Sequence, residues 1–225
     1  MMRQIPLPLP HQETMGIDDL LVTSSNREAV AWIDKWPAWP APCLIIHGPP
    51  GAGKTHLAHV WQARADAAFI NANELAAADI GTLIKKARAF VVDDADTVTG
   101  NAAAEESLLH LYNALREGRG HLLLTSSRPP AQWNIDLPDL RSRLLAAPAA
   151  ALTAPDDELL SALLVKQFHD RQVSIGAEVI DFLLPRLTRT PEAIRQLVTA
   201  LDQASLAENR RITIALARRV LESGN

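Results

Sequence analysis

The eight residues Gly48-Pro49-Pro50-Gly51-Ala52-Gly53-Lys54-Thr55 carry the spacing G-x-x-x-x-G-K-[ST]. Glycines let the backbone turn tightly enough for several N–H groups to converge on one anion, and a helix starting at the end of the turn adds the partial positive charge of its N-terminus. Polyphosphate is the ligand that uses both. Lys54 then reaches the terminal phosphates, the Thr55 hydroxyl ligates Mg²⁺, and His56, next in the chain, is counted with the nucleotide contacts. The other half of such a site is an acid at the end of a neighbouring strand, and Phe90-Val91-Val92-Asp93-Asp94 supplies two. Asp93 is expected in the Mg²⁺ shell beside Thr55, and Asp94 is expected to orient or activate an attacking water. Capping the next helix is the plainer role open to such an acid, and to Asp96. Thr125-Ser126-Ser127-Arg128 closes a further apolar run and offers hydroxyls, Thr125 first, to a water or a γ-phosphate, although such clusters also simply end strands.

These groups need a scaffold that gathers strand ends on one edge. Apolar runs at Cys43–His47, Ala68–Asn71, Ala89–Val92 and His121–Thr125 alternate with helical patterns at Arg27–Lys35, Lys54–Arg64, Ile80–Lys86 and Glu105–Arg116. Short, almost continuously apolar strands separated by helices predict a parallel sheet buried on both faces, hence an α/β fold. Beyond Pro155 strand signals stop. Helices are expected at Leu159–His169, at Ile175–Leu184, from the Thr190-Pro191-Glu192 start to about Leu206, and from a Thr213 cap to Leu221. The division expected is an extended tail (1–15), an α/β nucleotide-binding subdomain (16–154) and an all-helical C-terminal lid (155–225). Trp32, Trp36 and Trp39 are read as packing a helix and its Pro-rich exit against the sheet.

The 225 residues, 48% hydrophobic and 21% charged, fit one globular domain with a small appendage. A net charge of −4 leaves no generally basic surface for nucleic acid. No apolar run reaches the ~18 residues of a membrane span, and the N-terminus has no signal-peptide pattern, so no membrane partner and a cytoplasmic location are expected. Cys43 is the lone cysteine and is expected to be a small buried hydrophobe, with no disulfide framework or thiolate metal cluster. His56 and His59 lack metal-ligand partners nearby in the chain.

A phosphate loop, paired acids, a polar strand end, a basic turn at Leu137–Leu144 and a helical lid together resemble the AAA+ ATPases. At the position matching Arg143 those proteins carry an arginine finger that reaches the γ-phosphate on a neighbouring subunit. More closely, Leu122–Pro130 and Asp139–Leu144 are similar to stretches of the bacterial replication initiator DnaA and of the Hda-type regulators related to it. So are Asp18–Asn26, which matches the segment covering adenine, and Ala200-Leu201-Asp202 with Ile212-Thr213-Ile214. The resemblance spans about residues 16–225, by motif comparison. The stretch beyond Arg143 is expected to hold the lid without a DNA-reading helix-turn-helix, and the stretch between Thr55 and Asp93 has no aromatic and basic groove for single strands.

The tail adds the last motif. Gln4-Ile5-Pro6-Leu7-Pro8-Leu9 is barred from helix by alternate prolines and is similar to the clamp-binding peptide of Hda-type proteins, with Ile5 in place of the usual Leu. Gln4, Ile5, Leu7 and Leu9 are its expected contacts, in the mode of an extended peptide in an apolar groove. The resemblance therefore implies ADP or ATP with Mg²⁺, Arg195 (or Arg189) as the lid arginine that senses phosphate, and the DNA polymerase sliding clamp (beta subunit) and DnaA as partners. Self-association is left open, and sequence-specific DNA binding is not expected. The implied function is regulatory inactivation of replication initiation: Arg143 stimulates ATP hydrolysis on DnaA, and intrinsic ATPase activity is weak. The alternative is an autonomous AAA+ ATPase of helicase-loader or initiator type.

Overall fold

A computed structural model describes residues 21–223. The chain runs through α1 (Arg27–Asp34), β1 (Cys43–His47), α2 (Lys54–Ala65), β2 (Ala68–Asn71), α3 (Ile80–Lys86), β3 (Ala89–Asp93), α4 (Ala102–Glu117), β4 (His121–Ser126), α5 (Pro138–Ala146) and β5 (Ala149–Ala151). Four helices follow: α6 (Asp157–Asp170), α7 (Ala177–Leu183), α8 (Pro191–Glu208) and α9 (Ile214–Ser223). The five strands pair in parallel in the order β2-β3-β4-β1-β5.

Alternation along each strand sorts the core into two layers. Cys43, Ile45, Phe90, Val92, Leu122 and Leu124 face one side and pack with α4 and α5. Leu44, Ile46, Val91, Leu123 and Ala150 face the other and pack with α1 and α2. Trp39 and the partly buried Trp32 and Trp36 join this second layer as expected, with Trp39 stacked on Trp61. Cys43 is fully buried, and burial pushes its thiol far above the ordinary range, which leaves it unreactive.

The lid has its own core, built around Leu160, Leu164, Phe168, Leu183, Val198 and Leu201. Its helices start on caps legible in the sequence: Asp156 accepts from the Leu159 N–H at 2.8 Å and Thr190 from the Ala193 N–H at 3.2 Å. Among the described residues, no helix is long and apolar enough to cross a membrane.

One element is added to those expected and one is changed. The Ala149–Ala151 run forms a fifth strand, pairing Ile45 with Ala149 and His47 with Ala151. Alanine carries no strand signal; the edge of β1 imposes the conformation. The segment expected to be a basic turn is the helix α5, with Pro138 in its first turn and Leu140 and Leu144 buried one turn apart.

Candidate nucleotide-binding site

Because β3, β4 and β1 are parallel neighbours, their C-terminal ends open on one edge, and three polar loops meet there. In the loop after β1, a Cβ on Gly48 would lie 2.3 Å from the Leu152 carbonyl oxygen. Gly51 and Gly53 have φ of +76° and +94°, the left-handed region that glycine enters without strain. Lys54 is 8% exposed, and its ammonium donates to the Gly48 and Pro49 carbonyls at 2.9 and 3.1 Å. An ammonium has three donors, so it can take a further acceptor at the mouth of the loop. Pro49 and Pro50 are exposed on the loop's outer side, Ala52 packs into the core below it, and His56 is exposed on the first turn of α2.

The structure joins the loop to the first acid. Thr55 Oγ1 donates to Asp93 at 3.1 Å across the gap between α2 and β3. A hydroxyl and a carboxylate are hard oxygen donors, and the described residues contain no cluster of three metal-ligating side chains. That donor set suits Mg²⁺, which keeps most of its waters and phosphate oxygens.

Thr125 is placed differently from the expectation. It is fully buried; its hydroxyl donates to Asp93 Oδ1 at 2.5 Å and accepts from the Asp94 N–H at 2.9 Å. Instead of facing a water or phosphate, it positions both acids. Asp96 does not cap a helix either. It is buried, accepts from the Ser127 hydroxyl and N–H at 2.5 and 3.3 Å, and lies 3.5 Å from Arg128, so it ties the β3 loop to the β4 loop. The cap of α4 is Asn101.

Asp94 is exposed and holds a φ of +53°, a left-handed conformation that aspartate tolerates better than most residues. Loss of solvent and the neighbouring Asp93 charge raise its carboxyl above the usual range, against the pull of Lys54. An acid with a raised folded-state pKa binds its proton more tightly folded than unfolded. Its contribution is therefore present below the ordinary aspartate pKa of ~3.9 and is lost as pH rises through the raised value. Asp94→Asn is expected to melt above wild type at pH 7, with the difference fading towards pH 3 in thermal scans. A pH-independent difference would contradict this electrostatic account.

Arg143 lies in the last turn of α5, its side chain 17% exposed. Its Nε and Nη2 donate to the two Asp139 carboxylate oxygens at 3.0 and 2.8 Å, and its guanidinium sits 5.4 Å from the centre of the Tyr112 ring. Asp139 raises its already high pKa, so it is a fixed cation. It is held on its own chain, whereas Arg141 is exposed.

The lid meets the loop at Thr190, whose Cγ2 occupies the space a Cβ on Gly51 would take, 2.4 Å away. Arg189 is pinned to Asp157 at 2.6 Å and the Pro155 carbonyl at 3.1 Å, and Arg195 is paired with Glu192 at 2.6 Å. Thr190, the helix cap between the two arginines, thus brings a lid side chain against the loop, a contact that spacing alone does not reveal. Of the segment expected to cover adenine, the described part is strapped to the lid's first cap: Ser24 Oγ donates to Asp156 at 2.8 Å. Gln4, Ile5, Leu7 and Leu9 lie outside the described residues.

A parallel sheet of this order, a glycine-rich loop closed by Lys54 and Thr55, an acid on the adjacent strand and a separate helical lid make up an AAA+-type fold. Residues 156–221 match the family described as Hda, lid domain. The chain is similar to domain III of Thermotoga maritima DnaA, with a TM-score of 0.78 and 18% identity, over 96% of this chain and 98% of that one. AMPPCP-bound DnaA from Aquifex aeolicus matches with a TM-score of 0.73 and 19% identity, over 87% of this chain and 67% of that one. A Haemophilus influenzae protein described as uncharacterized is 26% identical over 236 residues, 98% of this chain and 99% of the relative. The family match covers the helical lid, and the likeness to the DnaA structures extends over the fold of nearly the whole chain.

Proposed function

We propose that this protein is a regulatory inactivator of replication initiation, one that stimulates hydrolysis of ATP held by DnaA. The observation that carries the reading is the joining of an Hda-type lid to a DnaA-like core whose α5 bears Arg143. Adenine nucleotide binds at the Gly48–Thr55 loop. Its backbone N–H groups and the α2 N-terminus receive the phosphates, and the Lys54 ammonium neutralises them. Thr55 and Asp93 would hold Mg²⁺, which supplies charge neutralisation between phosphate oxygens when bound. Arg195, or Arg189, reports the phosphates to the lid.

Arg143 acts on the partner. Delivered to the γ-phosphate of ATP on DnaA, its guanidinium stabilises charge that develops during transfer. Leaving Asp139 is a small obstacle, because an ion pair at the surface exchanges readily for a stronger anionic partner. The tail supplies the address. Gln4, Ile5, Leu7 and Leu9 insert as an extended peptide into a groove of the sliding clamp, and the alternating prolines reduce the entropy lost on binding.

Deleting Met1–Pro10 is expected to abolish capture by purified sliding clamp while the melting temperature and nucleotide affinity stay at wild-type values. Undiminished capture would refute the tail's role. A second reading has an observation of its own: the chain carries a full set of its own loop, Asp93 and Asp94, as an autonomous ATPase of helicase-loader or initiator type would need. That reading predicts that the tail deletion is silent and that Asp94→Asn is the damaging change.

A further inference from the structure

Among the described residues, one buried carboxylate lies outside the nucleotide site, and the chemistry proposed above does not use it. Glu105, in the first turn of α4, is 1% exposed. Its Oε2 accepts from the Asp136 and Leu137 N–H groups at 3.0 and 2.9 Å, and its Oε1 accepts from the Gly100 N–H at 3.2 Å. Burying a carboxylate is costly unless such donors surround it, so removal of the carboxylate leaves a set of backbone groups unsatisfied together. Asp136 and Leu137 are the two residues directly before Pro138, where α5 starts. Leu137, the N-cap position of α5, makes no side-chain cap bond, and Pro138 has no N–H to give. The start of α5 is therefore anchored by a side chain from a different helix.

That same helix meets the guanidinium. Tyr112 lies about two turns beyond Glu105 on the inward face of α4, and Arg143 sits over its ring. The two ends of the short α5 are thus fixed to α4 at separate points, Glu105 before its first turn and Tyr112 under its last. Leu140 and Leu144 are buried in the core cluster that α5 shares with α4.

We infer that Glu105 is a positioning residue for Arg143, setting the pose of α5 from which the arginine is presented to a partner's nucleotide. The inference rests on the reading of Arg143 given above. A guanidinium that must meet a developing charge gains from being held in place beforehand, and misplacement by about 1 Å can cost on the order of a hundredfold in rate.

The test compares full-length wild type, Glu105→Gln, Arg143→Ala and the double variant. The readouts are the plateau of stimulated hydrolysis of ATP on DnaA, the half-saturating concentration, nucleotide affinity and melting temperature. Glu105→Gln keeps the shape but turns a donor group towards backbone donors. It is expected to lower the plateau about ten- to a hundredfold, with half-saturation and nucleotide affinity within twofold of wild type. In the Arg143→Ala background the same change should cost nothing further in stimulation, since both act through one group. A merely structural role would lower the two backgrounds by the same factor. An unchanged plateau for Glu105→Gln beside an inactive Arg143→Ala overturns the inference and leaves the proposed function standing. An undiminished Arg143→Ala overturns the proposed function itself. Should Glu105→Gln not melt cooperatively, Glu105→Asp, which keeps the charge but shortens the reach, carries the test under the same criteria.

Discussion

Arg143→Ala is expected to reduce stimulated hydrolysis of DnaA-bound ATP by about 10³–10⁵-fold, the range arginine fingers supply in phosphoryl transfer. The size of the effect follows from where the charge acts. A guanidinium directed at oxygens that gain charge only as the γ-phosphate departs stabilises the transition state far more than the ground state. The loss should therefore fall on the maximal rate, while clamp capture and the protein's own nucleotide affinity stay unchanged. Within the chain, alanine removes the Asp139 pair and the contact with the Tyr112 ring, while Leu140 and Leu144 remain to anchor the helix in the core. Arg143→Lys is expected to recover little, because a point charge cannot reproduce the planar fork of donors. The rates are read by phosphate release under saturating protein, and a variant that keeps a tenth or more of wild-type stimulation would refute the assignment.

The second large effect is expected at Lys54. Lys54→Ala should weaken ADP and ATP binding by about a hundredfold, the value of one charged contact of 1.5–3 kcal/mol expressed as an affinity ratio. The ammonium is almost covered and bridges two carbonyls of its own loop, so its removal deprives the site of a cation and the loop of its brace. Titration calorimetry gives the affinity. Nucleotide at a hundred times its dissociation constant should stabilise the wild type by about 2.7 kcal/mol, a gain the variant should lose at the same concentration. Unchanged affinity would mean that nucleotide is not held at this loop.

The sequence is most informative where local chemistry and tertiary need coincide. A strand ending in a glycine-rich turn followed by Lys-Thr can be read directly, because polyphosphate binding constrains backbone and side chains together. Asp93 was accessible for a similar reason: a carboxylate ending an apolar run falls on the edge where the loop lies, and Thr55 meets it there. Thr125 lies near the end of a strand on the same edge, with its hydroxyl on Asp93 and Asp94. Spacing cannot tell a hydroxyl facing a reactant from one turned inward to hold an acid, and the difference arises from the side-by-side packing of β3 and β4. Three elements escaped for other reasons. The alanines of β5 carry no strand preference and depend on the free edge of β1. In α5 the helical signal is short, one Leu140–Leu144 spacing behind a leading Pro138, and is interrupted by two arginines. Thr190 was legible as a cap and silent as a neighbour of Gly51, since a contact between lid and loop is set by how two subdomains meet.

The function proposed above has this chain complete a hydrolytic centre belonging to another protein. Its most direct test is a single-turnover experiment in which radiolabelled ATP is bound to DnaA, freed of excess nucleotide, and mixed with this protein and clamp loaded on DNA. The label is expected to be converted to ADP while still bound to DnaA, dependent on both Arg143 and the first ten residues. Label that remains ATP on DnaA, while this protein hydrolyses only nucleotide supplied to its own loop, would contradict it.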